Sequence, residues 1–356
     1  MHSHLHLVRA FAIMVVATVL GTACPSSADA GARVEQGTTT DEPDIQYVTV
    51  SPSGAILLQP HAPAPLHTGE YAHFGTFTSS TLSFTALFQS LKLDYATIGG
   101  VGGQAAVDLR ASADGQHWTE WQLDLAPGAV ASFDRAARYA QYRVRLLGNG
   151  GVVGVERVAL APTGGIAFGT LDTPVAPTYR IHATRQGMIG GRTANGHIIT
   201  ARDRFVSLPS WRALSRRGKN EYQVRITYKD RSTVVPVYDV GPWNERDDYW
   251  NAERERFSDL PRGYPQDHAA YFDGYNKGVA EKGRVRFPTA VDVGDGAWID
   301  DLGIRGDRAI VEITFLWLGS DPLAGQAPPP APEPTAVPTA APTAAPTAAP
   351  TAVPTA

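Results

Sequence analysis

Residues 234–243, Val-Val-Pro-Val-Tyr-Asp-Val-Gly-Pro-Trp, constrain this chain more than any other stretch. A β-branched run delivers one carboxylate, Asp239, to a strand end, and Gly241-Pro242 then forces the backbone to turn. Core packing gives no reason for an Asp there. Either it caps the turn with its own side chain or it does chemistry. Residues 290–294, Ala-Val-Asp-Val-Gly, repeat the form, with Asp292 between apolar neighbours. Two carboxylates on nearby strands suit shared acid and base work, provided the fold brings them together.

The chain has 356 residues, room for two domains and a tail. Gly and Pro are abundant and helical periodicity is scarce, so a mainly β fold is expected. The net charge of -4 implies no general basic surface, and no nucleic-acid partner is expected. Residues 1–30 read as an export signal. Arg9 supplies positive charge, residues 10–20 are apolar but short for a bilayer, and Ala28-Asp29-Ala30 offers a cleavage site. A secreted, extracellular protein beginning at Gly31 is expected. The alternative is lipidation at Cys24, the single cysteine, which would be the one route to a membrane. Cleavage after Ala30 leaves no thiol, and so no disulfide, Cys-zinc site or cysteine nucleophile. The histidines lack metal-ligand spacing, residues 99–103 lack the Lys-Ser/Thr of a P-loop, and no Gly-x-Ser-x-Gly elbow is present. No metal or cofactor is expected.

In chain order, residues 31–44 are polar and expected to be disordered. Residues 45–162 alternate in short runs between turn residues, the pattern of a β-sandwich. Residues 105–112 and 139–146 are its clearest strands; Asp114-Gly115 makes a hairpin turn, and residues 118–121 begin the return. This arrangement is similar, over residues 109–121 and 138–146, to the jelly-roll modules related to discoidin-type carbohydrate-binding domains. The resemblance implies that Trp118 and Trp121 could stack on sugar rings; the competing reading puts at least one in the core. Residues 163–177 read as a linker and 178–318 as a second domain, with strands at 181–184, 222–228 and 309–317. A charged, aromatic insertion, 244–288, interrupts it, with a helix starting near Pro265. Its aromatic residues form either a sugar-binding wall or the insertion's own small core, with Trp243 and Trp250 as the exposed pair beside the Asp turn. Residues 319–356 are a Pro, Thr and Ala tail, a stalk rather than a catalytic part.

Five pieces of the second domain occur in one order: Gly190-Gly191-Arg192-Thr193-Ala194-Asn195-Gly196, Ser207-Leu208-Pro209, Asp239-Val240-Gly241-Pro242, Val291-Asp292-Val293 leading to Leu302-Gly303-Ile304, and the last strand from Ala309. In that order they resemble the rare-lipoprotein-A-like family of bacterial cell-wall proteins. The resemblance implies a six-stranded double-psi β-barrel after the sandwich, with the insertion as its partly helical addition. Residues 239–250 also match a string, Asp-Val-Gly-Pro-Trp-Asn-x-Arg-Asp-Asp-Tyr-Trp, found in a group of secreted bacterial proteins.

The resemblance places Asp239 and Asp292 at the two acidic positions of a lytic transglycosylase or glycoside hydrolase, Asp239 as general acid and base and Asp292 in support. Either would need a pKa raised by burial or by the other's charge. Thr193 and Asn195 would line the groove. Trp243, Trp250, His197 and the adjacent carboxylates Asp247 and Asp248, read as facing water, complete the candidate substrate-binding set. The family's His before Leu-Pro is missing; residues 203–206 stand there, and His182 or His197 would have to replace it. The expected partner is a polysaccharide, peptidoglycan or a cellulose-like glycan, cleaved in the groove. The alternatives are a non-catalytic, expansin-like binder and a structural surface-display protein.

Overall fold

The computed structural model describes residues 41–63, 71–100, 102–163 and 174–325. The expected export signal and Cys24 lie outside the described residues, as do most of the expected linker and tail.

The first half is a two-sheet sandwich. One sheet has six strands and the other four, the latter built from Val48–Val50, Ile56–Leu58, Val153–Val155 and Thr97–Gly99. The larger is organised on the long strand Val130–Gly148, whose second half pairs with His73–Thr78 and Gly103–Ser112. Apolar residues from both sheets, among them Ile56, Phe88, Leu109, Val144 and Val155, meet in one core. Residues 41–44, expected at the end of a disordered lead, are held: Asp41 accepts from Thr81 and Arg216, and Asp44 opens a strand paired with Thr78.

The second half is a closed, mixed, six-stranded barrel, the strand number the family resemblance implied. Its strands in chain order are β1 (Thr178–Gln186), β2 (Val206–Leu208), β3 (Gln223–Tyr228), β4 (Arg231–Val240), β5 (Val291–Gly294) and β6 (Arg308–Phe315). Around the barrel they run β1-β5-β2-β4-β3-β6, so no edge is left unpaired. Two pairings, β1 with β5 and β2 with β4, are parallel. Alternation sends Ile181, Ala183, Val291, Val293, Val206 and Leu208 into the core and leaves Thr184, Asp292 and Ser207 on the outer wall. Residues 320 and 321 are tied to the barrel: Ser320 bridges to Val175, and Asp321 pairs with Arg225 at 2.5 Å.

Sandwich and barrel share a buried, highly polar junction. Arg110, wholly buried between the rings of Trp118 and Trp121, bonds Gln141, Glu221 at 2.9 Å and the Tyr222 hydroxyl at 3.3 Å. Trp121 belongs to the barrel's core cluster, and Trp118 is buried as well. Neither indole has a face to offer a sugar.

The insertion supplies Tyr249 and Trp250 to the barrel core, where Trp250 stacks on Phe315. Its own small cluster is Ala270, Ala280 and Val285, with Trp243 against it. Helix α1 (Gln266–Phe272) begins at Pro265, which has no capping side chain. Asp247 takes that part from a distance, accepting the Gln266 N–H at 2.7 Å.

Candidate functional site

The barrel register brings the two carboxylates to either side of one residue. Ser207 on β2 pairs with Asp292 of β5 and with Asp239 of β4. The β2/β4 ladder shifts between Val206 and Ser207, so that Val206 opposes Val237 while Ser207 opposes Asp239. That bulge re-aims Asp239 toward Gln186 and Ser207 on the outer wall. Each strand step is about 4.8 Å, which places Asp239 and Asp292 about 10 Å apart across Ser207.

Their surroundings differ. Asp239 is buried, and its oxygens accept from Gln186 Nε2 at 2.9 Å, Ala194 N at 2.8 Å and Val240 N at 2.9 Å. Gln186 also accepts from the Ser207 hydroxyl at 2.6 Å, reaching across the level of Gly294 to do so. The Ala194 contact fastens the 190–196 loop over Asp239. The sandwich covers that loop in turn: Gln46 Nε2 donates to Asn195 O at 2.6 Å, and Arg192 lies 4.3 Å from the Tyr47 ring centroid. Two shallow pockets at this junction share Gln46, Thr76 and Ala194 in their lining, and neither is lined by Asp239 or Asp292.

Asp292 is partly open to solvent. The Thr184 hydroxyl donates to it, and that hydroxyl lies 2.9 Å from Thr289 Oγ1. Desolvation pushes its carboxyl up to about 7; the Thr184 bond opposes this, the Asp239 charge adds to it, and the Lys282 charge opposes it. Lys282 pairs with Glu245 at 3.2 Å. Helix α1 grips β1 and the lead into β5. Asp267 accepts the Thr289 N–H, and His268 Nε2 accepts the His182 N–H at 3.1 Å, which places the ring proton on Nδ1, 3.1 Å from Asp267.

Several of the expected binding residues are placed elsewhere. Thr193 and Asn195 are buried, bonded to each other at 2.8 Å, and covered by Gln46 rather than lining an open groove. Trp250 is fully buried with its Nε1 donating to Glu120 at 2.7 Å, so the expected exposed pair reduces to the half-buried Trp243. Asp247 and Asp248 do not face water. Asp247 is paired with Arg254, and burial pushes its carboxyl up to about 7 against that charge. Asp248 accepts from Arg212 at 2.6 Å, from Asn251 at 2.9 Å and from Glu255 N at 2.7 Å. Both order the insertion, which is why adjacent carboxylates occur there. His197 pairs with Asp203 at 2.7 Å and lies against the Tyr238 and Phe205 rings rather than against either central carboxylate. Among the described residues no cluster of His, Cys, Asp and Glu could hold a metal ion.

Sequence reasoning passed over Gln186, Thr184 and Lys282. Thr184 and Gln186 share the outward parity of β1, a signal that alternation alone contains; Lys282 comes from the insertion and has none.

Residues 177–314, the barrel with its insertion, match a family model described as a domain of unknown function (DUF8814). No curated protein matches the chain. Among solved structures, a Streptomyces papain inhibitor is 15% identical, covering 40% of this chain and 98% of that one, with a TM-score of 0.23. A chain from the structure of accessory secretory proteins 1, 2 and 3 of Streptococcus pneumoniae is 14% identical, covering 39% and 99%, with a TM-score of 0.23. At these scores neither likeness bears on what this chain does. Among the described residues no helix is long and apolar enough to cross a membrane.

Proposed function

We propose that this is a secreted protein acting on cell-envelope polysaccharide, with peptidoglycan the first candidate, by lytic-transglycosylase-like cleavage at Asp292. The rare-lipoprotein-A-like resemblance of the barrel belongs to the same reading. The observation that carries it is the contrast between the carboxylates. Asp292 is accessible, with its pKa pushed up to about 7, while Asp239 is covered and fully engaged in hydrogen bonds. The acid role expected of Asp239 therefore passes to Asp292. A hydrolase of the usual two-carboxylate kind needs a second accessible group for water or for a covalent bond. A transglycosylase needs only one. Asp292 gives its proton to the glycosidic oxygen as the C1–O bond breaks. The resulting carboxylate takes the proton of the sugar's own 6-hydroxyl as that oxygen bonds to C1 and closes the anhydro ring.

The test is a product assay on the chain from Gly31 onward, with purified peptidoglycan and with cellulose, beside Asp292→Asn. Soluble fragments with anhydro ends, absent from the variant and declining as pH rises past 7, are expected. Hydrated ends would mean hydrolysis instead. One observation favours a second reading, an expansin-like binder without turnover: Thr193 and Asn195 lie beneath the sandwich, which narrows the groove. Pelleting with glycan by wild type and variant alike, with no fragments from either, would select it.

A further inference from the structure

The outer wall around Asp292 carries more than an acid. Outward positions on β1, the strand beside it, and on β6, one strand further, are matched in register, His182 with Ile310 and Thr184 with Arg308, while Thr184 also pairs with Asp292. At the His182 level the insertion adds Phe272, 54% exposed, with its ring 5.5 Å from His182 and 5.0 Å from the equally accessible Tyr271. At the Thr184 level it adds Phe287. The guanidinium of Arg308 lies 4.1 Å from that ring's centroid, and Trp243 meets the same ring edge-on at 5.4 Å. Arg308 is exposed and, among the described residues, has no carboxylate partner.

Each part has a chemical preference. An arginine held flat on an aromatic ring presents its donor edge outward in a fixed plane, suited to a carboxylate. Exposed aromatic faces suit the C–H face of a pyranose ring, and they cost a soluble protein something to leave uncovered. The two lie one register step of two residues apart along β1, about 7 Å, roughly the length of one sugar unit.

We propose that this wall binds a carboxylate-bearing glycan, with Arg308 taking the carboxylate, Phe272 with Tyr271 receiving the neighbouring sugar ring, and Asp292 on the opposite side of Thr184 from Arg308. The inference rests on the polysaccharide reading and specifies its substrate. It divides specificity between Arg308 of β6 and the insertion, which supplies Phe272, Tyr271 and the ring beneath Arg308.

The probes are polygalacturonate and peptidoglycan, whose stem peptides carry free carboxylates, against neutral cellulose and dextran. The full chain from Gly31 is used, with binding read by affinity electrophoresis and by pelleting. Binding to the acidic polymers at least tenfold tighter than to the neutral ones is expected. Arg308→Gln should erase that preference, Arg308→Lys should restore part of it, and Phe272→Ala should weaken binding to every polymer that binds. These side chains are exposed, and an unchanged melting temperature confirms that each variant folds. Equal binding to neutral polymers, no binding to either acidic one, or no effect of Arg308→Gln would overturn the proposal. Asp292→Asn separates it from the cleavage reading. Retained acidic-glycan binding without fragments from wild type sinks cleavage alone. Fragments released at the same KM by Arg308→Gln sink the arginine subsite alone.

Discussion

Asp239 and Asp292 flank the same serine on the same barrel wall, yet one is a structural acceptor and the other a group poised to exchange a proton. Register gave them equal standing; cover separated them. The 190–196 loop and then Gln46 and Tyr47 of the sandwich lie over Asp239, and two backbone amides with a glutamine side chain meet its oxygens. Over Asp292 the insertion arrives from the side, through Asp267, His268 and Lys282, and stops short of closing. A carboxylate's role thus depends less on the strand that carries it than on which later segment folds across it.

The largest expected effect breaks the sealed side. Asp239→Leu leaves the Ala194 N–H and the Gln186 amide buried without an acceptor, and should cost about 4 kcal/mol in denaturant unfolding. A loss near zero would mean that Asp239 is not what holds the loop. On the open side the sign reverses. Because folding raises the Asp292 carboxyl to about 7, its protonated form is favoured in the native state. That contribution is full below pH 4, the unfolded value, and disappears as pH rises through 7. Asp292→Asn, a neutral mimic, should therefore gain about 3 kcal/mol more relative to wild type at pH 8 than near pH 4.5. Thermal melts at the two pH values test this, and a pH-independent difference would remove the account given of the carboxyl.

Smaller effects probe the cover itself. Gly196 has φ of +83° and its added Cβ would lie 1.6 Å from Gln46 Oε1, so Gly196→Ala should destabilise by about 2 kcal/mol. Gln46→Ala in the same chain should recover the part due to the clash but not the part due to backbone conformation, which a double-mutant cycle separates. The smallest change is expected at the exposed wall. Tyr271→Ser touches a side chain 48% exposed and should shift stability by no more than about 0.5 kcal/mol. A larger loss there would mean that the ring is packed rather than presented.

Much of the barrel was legible because alternation is a local signal. Residues 181–184, 222–228 and 309–317 read as strands, and strands lie at Thr178–Gln186, Gln223–Tyr228 and Arg308–Phe315. The helix near Pro265 was legible from the proline itself. The return of the Asp114-Gly115 hairpin was legible only in part: it makes isolated bridges at Trp118 and Gln122 rather than a strand, since Trp121 leaves the sandwich for the barrel core. Aromatic density in the insertion was visible, but not which rings turned inward. Tyr249 and Trp250 went to Phe315, a residue more than sixty positions away.

The sequence by itself determined that the chain is mainly β, that two Asp residues sit among apolar strand residues, and where the helix of the insertion begins. These follow from periodicity, turn chemistry and residue type, which act over a few positions. Tertiary structure alone decided that Ser207 lies between the two carboxylates, that a bulge re-aims Asp239, and that Thr193 and Asn195 lie beneath the sandwich while Asp292 stays open. Solvent access and pKa depend on what packs across a group, and here residues 46 and 194, which cover Asp239, lie far from it along the chain, while Lys282 reaches Asp292 through the fold of the insertion rather than through any local pattern.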